Sequence, residues 1–245
     1  MENKPALNRH DVKRQKTART MKGAAVRVVV MTAALLLACF AVMGINKLTD
    51  YIHEKDYRAL SGEEISYALL RGEEREAEIA DASSERRLEF ARAACGIVGK
   101  VNYFWGGKSA AEGIDPAWGE LREVTSSGSE SSGQVKPYGL DCSGFVSWAF
   151  IQLGYDFSEM ETLFGNGTWN QWDRSADIAY KDLRVGDVAF QNRYPTDQGN
   201  HIGICIGFLE NGEPVFAHCS SGYDNVVVTT RGTVFNHARR MNIFN

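Results

Sequence analysis

The chain opens polar, turns continuously apolar from Val28 to Ile45, returns to dense charge, and breaks into short apolar runs after Leu88. The first run holds 18 residues without a charge. As a helix rising about 1.5 Å per residue it would span roughly 27 Å, close to the hydrocarbon core of a bilayer. Residues 46–86 are rich in Glu and Arg, with sparse apolar positions at Ile65, Leu69, Leu70 and Ile79. That pattern predicts one or two solvated helices, broken near Gly62 and Gly72, forming a charged stalk. Leu88–Val101 predicts the first helix of a globular domain that would occupy residues 87–245. Residues 108–139 turn to Ser and Gly and read as a long inserted loop. Four strand-like runs follow: Val188–Gln191, His201–Phe208, Pro214–Ser220 and Val226–Thr230. Asn211-Gly212 marks a hairpin between the second and third. Helices first and clustered strands later indicate an α+β domain.

Composition adds little until charge is read by position. Hydrophobic residues make up 44% and charged residues 24% of 245, which excludes a disordered or multi-span chain. The net charge of -4 conceals an asymmetry. Residues 1–27 carry eight Lys/Arg against Glu2 and Asp11, leaving -10 for the remainder. A basic flank before the apolar run places residues 1–27 in the cytoplasm, 28–45 in the membrane as a single-pass anchor, and the rest outside. A cleaved signal peptide lacks a clear small-x-small site after the run. Leu36-Leu37-Ala38-Cys39 loosely matches a lipoprotein box, but apolar residues continue past it to Ile45. The five cysteines form no Cys-x-x-Cys pair, which argues against a zinc site or disulfide framework. The external charge gives no reason to expect nucleic acid as a partner.

Chemistry concentrates at Gly139-Leu140-Asp141-Cys142-Ser143-Gly144-Phe145-Val146. Helical steps from Cys142 reach Phe145, Val146, Ala149, Phe150 and Leu153, an apolar stripe that puts Cys142 in the first turn of a core helix. Asp141 is the expected N-cap. Unpaired N–H groups and the positive end of the helix dipole favour a thiolate there, so a depressed thiol pKa is expected. The competing reading of Cys142 is a small buried hydrophobe. In the strand from His201, alternation puts Ile202, Ile204, Ile206 and Phe208 on one face, with His201, Gly203, Cys205 and Gly207 on the other. The small face leaves room for a helix N-terminus or a substrate backbone. Across the hairpin His218 comes near His201, placed to fix its tautomer and orientation. His237, in a polar tail, is expected to have no such role.

Tyr103-Phe104-Trp105-Gly106-Gly107, Asp141-Cys142-Ser143-Gly144-Phe145-Val146, Gly186-Asp187-Val188, His201-Ile202-Gly203-Ile204 and Ala217-His218 occur in this order. The set resembles the NlpC-type bacterial cell-wall cysteine peptidases over residues 88–230 or so. The resemblance implies a papain-like fold, with helices packed on a small antiparallel sheet. It implies Cys142 as nucleophile, His201 as general base and acid, and His218 as the orienting residue. Tyr103, Trp105, Asp141 and Ser143 would border the substrate cleft, with Asp141 and Ser143 able to hold the free amino end of a stem peptide. The reaction implied is hydrolysis of a peptidoglycan stem-peptide amide, commonly between D-γ-glutamate and the diamino acid, with no cofactor. An N–H at the helix start, that of Cys142 itself, would serve the oxyanion. An amidase cutting muramoyl-L-alanine, an acyltransferase and a non-catalytic wall-binding scaffold are the alternatives. Besides stem peptides, the expected partners are the cytoplasmic membrane and envelope or secretion-type proteins meeting the stalk. Residues 108–139 depart from the resemblance by their length, as a lid, a subsite modifier or a tolerated insertion.

Overall fold

The computed structural model describes residues 31–32, 57–197 and 199–244. The chain divides into two compact units, residues 1–52 and 53–245. In the first, Met31 and Thr32 are described and are helical. The expected cytoplasmic tail, the rest of the anchor and residues 46–56 lie outside the described residues. Among the described residues no helix is long and apolar enough to cross a membrane.

The second unit is α+β. Helices α1 (Gly62–Ile79) and α2 (Ser84–Gly96) come first, then the hairpin β1 (Leu121–Glu123) and β2 (Val135–Pro137). Helices α3 (Cys142–Ile151), α4 (Phe157–Leu163) and α5 (Thr168–Asp173) follow. Strands β3 (Ser175–Asp177), β4 (Val188–Phe190), β5 (Ile202–Phe208), β6 (Pro214–Ser220), β7 (Asn225–Thr230) and β8 (His237–Met241) form an antiparallel sheet in the order β3-β8-β4-β5-β6-β7. The Asn211-Gly212 turn joins β5 to β6 with Gly212 at φ +81°, the conformation that glycine supplies there.

Two sequence expectations need correction. The charged segment is no free stalk: α1 packs on β5. Ser61 and Glu64 close a capping box at its start, so Gly62 opens the helix. Gly72 runs on within it, because a Cβ there would lie 3.3 Å from the Gly207 Cα and 2.6 Å from Val185. Gly207 in turn faces the Ala68 carbonyl, which a Cβ would meet at 1.8 Å. Small residues on both elements let the backbones approach, and the buried Glu76 is paired with Arg184, whose Nε lies 3.1 Å away. Leu60 N–H also bonds the Val228 carbonyl on β7 at 2.8 Å. The domain therefore reaches back to at least Tyr57. The inserted segment 108–139 is likewise folded. It contains the β1–β2 hairpin, buries Val124, and sets Trp118 edge-on to Trp148 of α3 at 5.7 Å.

The core is built around α3, every residue of which is buried. The anticipated stripe is thus one part of a helix covered on all sides, with Phe150 stacked on Phe90 of α2 at 4.1 Å. All of β5 is buried as well. Beneath β4, Asp187 accepts from Arg87 at 2.8 Å and from Arg240 at 2.8 and 2.9 Å. That knot gives the Gly186-Asp187-Val188 motif a structural role, tying α2 to β8.

Candidate active site

The start of α3 and the start of β5 meet at Cys142. Asp141 caps α3 by accepting from the Gly144 N–H at 2.6 Å. The cap fixes the first turn and presents the sulfur to β5. Cys142 Sγ lies 3.9 Å from the Asn200 carbonyl oxygen, and the N–H groups of Ile202 and Ser143 are directed at it. His201 sits between Asn200 and Ile202, so imidazole and thiol share one corner of the fold.

From His201 a chain of contacts leads inward. Its Nε2 is 2.9 Å from His218 Nδ1, and the two rings are nearly perpendicular. His218 is fully buried on β6, with Nε2 at 3.0 Å from Thr229 Oγ1 on β7 and 3.2 Å from the Tyr57 hydroxyl. Neutral His218 carries a single N–H, which the two oxygens share when it sits on Nε2. If His218 donates through Nε2 to these oxygens, its Nδ1 accepts from His201 Nε2–H. His201 Nδ1 is then the unprotonated nitrogen, the state a general base requires.

Tyr57 and Thr229 were not legible as site residues. Tyr57 is 161 positions from His218 in sequence, and no local motif surrounds it. Phe235 completes the wall, 5.7 Å from the His201 ring and 5.2 Å from that of His218. It fits because Gly203 lacks a Cβ, which would stand 2.7 Å from its ring. The small face of β5 therefore receives Phe235 and α1, where the sequence suggested a helix N-terminus or substrate.

Burial sets the resting protonation. It pushes the Cys142 thiol up to about 12, with the charge of Asp141 acting in the same direction. It lowers His201 to about 4, and His218 falls well below its ordinary value, through burial first and then its neighbour His201. The depressed thiol pKa expected from the helix terminus is not found, because desolvation outweighs Lys108 and the two backbone N–H groups that favour the anion. Thiol and imidazole rest neutral at pH 7, and the proton must move as the sulfur attacks.

A cleft of about 310 Å³ opens over Cys142, lined among others by Trp105, Lys108, Asp141, Ser143, Tyr194 and Asn200. Three of the four expected cleft residues are in it. Tyr103 is not. It forms a parallel bridge to Leu140, and burial beside Cys142 and Asp141 raises its hydroxyl pKa. A larger hollow of about 530 Å³ beside Arg58, Glu213 and Thr230 contains neither nucleophile nor base. His237 lies on β8 with its ring 6.0 Å from Trp172, outside the cleft lining. Lys108, unremarked in the sequence, places Nζ at 2.7 and 2.8 Å from the two Asp141 carboxylate oxygens and 2.7 Å from Ser143 Oγ.

A stretch of 111 residues is 26% identical to the peptidoglycan DL-endopeptidase CwlO of Bacillus licheniformis, covering 45% of this chain but only 18% of that protein. Among solved structures, the peptidoglycan hydrolase RipB of Mycobacterium tuberculosis is 21% identical over 68% of this chain and 70% of its own, with a TM-score of 0.44. The NlpC/p60 domain of the peptidoglycan hydrolase SagA is 22% identical over 63% of this chain and 98% of its own, with a TM-score of 0.42. The family model for NlpC/P60 matches residues 99–240, more than half of the chain and all of the segment from before the Tyr103 motif to β8, and the chain belongs to the NlpC/P60 family.

Proposed function

We propose that this protein is a membrane-anchored cysteine endopeptidase of the bacterial cell wall, cutting the amide between D-γ-glutamate and the diamino acid of stem peptides outside the cytoplasmic membrane. The observation that carries the reading is the hydrogen-bonded line from His201 through His218 to Thr229 and Tyr57, beginning beside the Cys142 sulfur that lies against Asn200 and Ile202, within an NlpC/P60 domain. His201 Nδ1 takes the thiol proton as Sγ bonds to the scissile carbonyl carbon. The oxyanion is received by N–H groups at the start of α3, which lack intrahelical acceptors. His201 then delivers the proton to the leaving amine, the C–N bond breaks, and an S-acyl enzyme remains. Water, deprotonated by His201, releases the new carboxylate and restores the thiol. His218 keeps Nε2 of His201 engaged throughout, stabilising the transient imidazolium without itself reacting.

The bond assignment is supported by the name of the Bacillus licheniformis relative, a DL-endopeptidase. The anchor reading rests on the uncharged Val28–Ile45 run and the basic residues before it. Digesting purified peptidoglycan and identifying the new termini by mass spectrometry tests the bond. A C-terminal D-γ-glutamyl carboxylate with a new amino group on the diamino acid is expected. A new lactyl carboxylate on muramic acid would instead make the enzyme an amidase, and no new termini would favour a binding scaffold.

A further inference from the structure

Lys108 occupies an unusual place. It begins the inserted segment, yet its side chain lies across the first turn of the catalytic helix. Gly144 makes the space, since a Cβ there would come 3.0 Å from Lys108 Cδ and 2.1 Å from the Gly107 carbonyl. The far end of the insertion holds it: the Tyr138 hydroxyl donates to the Lys108 carbonyl at 2.5 Å, and the Tyr138 ring packs edge-on against Phe104. An ammonium group has three protons to donate. Asp141 Oδ1, Asp141 Oδ2 and Ser143 Oγ accept from it, all within 2.8 Å. Asp141 Oδ1 also accepts from Gly144 N–H and Ser143 Oγ, while Oδ2 accepts from Lys108.

The electrostatic consequence concerns what the cleft can accept. Asp141 is the one carboxylate among the residues that line it, and Lys108 is the one cation. The pair is about three-quarters or more buried on both sides. A peptide arriving with a free α-ammonium would find no unpaired anion near the nucleophile and would meet the Lys108 charge. A peptide whose amino end is acylated brings a neutral amide and meets neither cost.

We propose that Lys108 is a specificity-determining residue that blocks free amino ends, so that the cleft selects stem peptides still acylated at their N-terminal alanine, as in intact muramoyl-linked strands. This rests on the endopeptidase reading and narrows its substrate class. Lys108 acts by occupying Asp141 and Ser143, the two side chains otherwise suited to a cationic amine.

The test uses the full-length chain in detergent with two substrates, the L-alanyl-γ-D-glutamyl-diaminopimelate tripeptide with a free amine and its N-acetyl form. Wild type is expected to turn over the acetylated peptide with a kcat/KM about tenfold or more above that of the free one, the size of effect expected from juxtaposed like charges. Lys108→Met should bring the ratio to one or below, by freeing Asp141 for the substrate amine. Lys108→Arg, which keeps the cation, should retain the preference. Because the ratio is taken within each variant, a general loss of folded enzyme does not move it. Should Lys108→Met not fold, Lys108→Gln, which removes the charge and keeps a hydrogen-bond donor, supplies the same comparison. A wild type favouring the free amine, or a ratio untouched by Lys108→Met, overturns the proposal with the endopeptidase reading intact. Cleavage of neither peptide by wild type overturns both.

Discussion

His201 is the residue on which the protonation argument turns. A base must be neutral to accept a proton, and burial lowers its pKa to about 4 from an ordinary value near 6.5. The acid limb of kcat/KM on a soluble acylated stem peptide should therefore fall near pH 4, and a limb at 6.5 would show an imidazole open to water. The same shift has a stability consequence. Both site histidines bind protons more readily unfolded than folded, so the unfolded state gains as pH drops below about 6.5. Thermal melts should show stability declining from there towards pH 4, and the activity profile should be corrected for it. Cys142, Asp141 and the histidines were readable from sequence because local periodicity places each of them: a cap, a first turn, and a hairpin of known register. Tyr57 reaches the site across 161 positions and Lys108 on an extended side chain, which no local pattern encodes, while Thr229, 11 positions from His218, depends on the register between β6 and β7.

Among the elements, α1 shows most clearly what hydropathy misses. Its docking surface is Ala68, Gly72 and a buried Glu76, which a hydrophobic pattern reads as polar or neutral. Close backbone approach and a paired carboxylate do the work that a Leu stripe does elsewhere. The edge strand β3 and its inner neighbour β8 escaped for a related reason. In β8, Arg239 is buried over the Trp172 ring at 3.9 Å and Arg240 is tied to Asp187, so a charged sequence forms an inner ladder between β3 and β4. A fragment starting at residue 88 is expected to lose at least about 3 kcal/mol relative to one starting at residue 53, from exposed β5 surface and an unpaired Arg184. For a domain of this size that is a fall of roughly 10 °C in Tm. It would also remove Tyr57 from His218, lowering activity beyond the stability loss. Equal melting points for the two fragments would restore the stalk reading of 62–79.

For the whole molecule the proposed arrangement is a wall hydrolase held at the inner edge of its substrate. The domain lies within a few residues of the apolar run, with Tyr57 only twelve positions after Ile45. If Val28–Ile45 is the proposed anchor, residues 46–56 are all that separate it in sequence from Tyr57. Cell fractionation should place the full chain in the membrane pellet and residues 53–245 in the soluble fraction, and a full chain that is soluble without detergent would contradict the anchor.

The most direct test of the central claim is muropeptide release from purified peptidoglycan by the wild-type chain and by Cys142→Ala. The replacement removes the sulfur from a buried position where alanine fits without clash, so folding should persist by thermal melt and circular dichroism. The wild type is expected to generate D-γ-glutamyl carboxylate termini and the variant none above background, a fall of at least about a thousandfold in rate. Undiminished release by Cys142→Ala would contradict the assignment of Cys142 as nucleophile, and with it the mechanism.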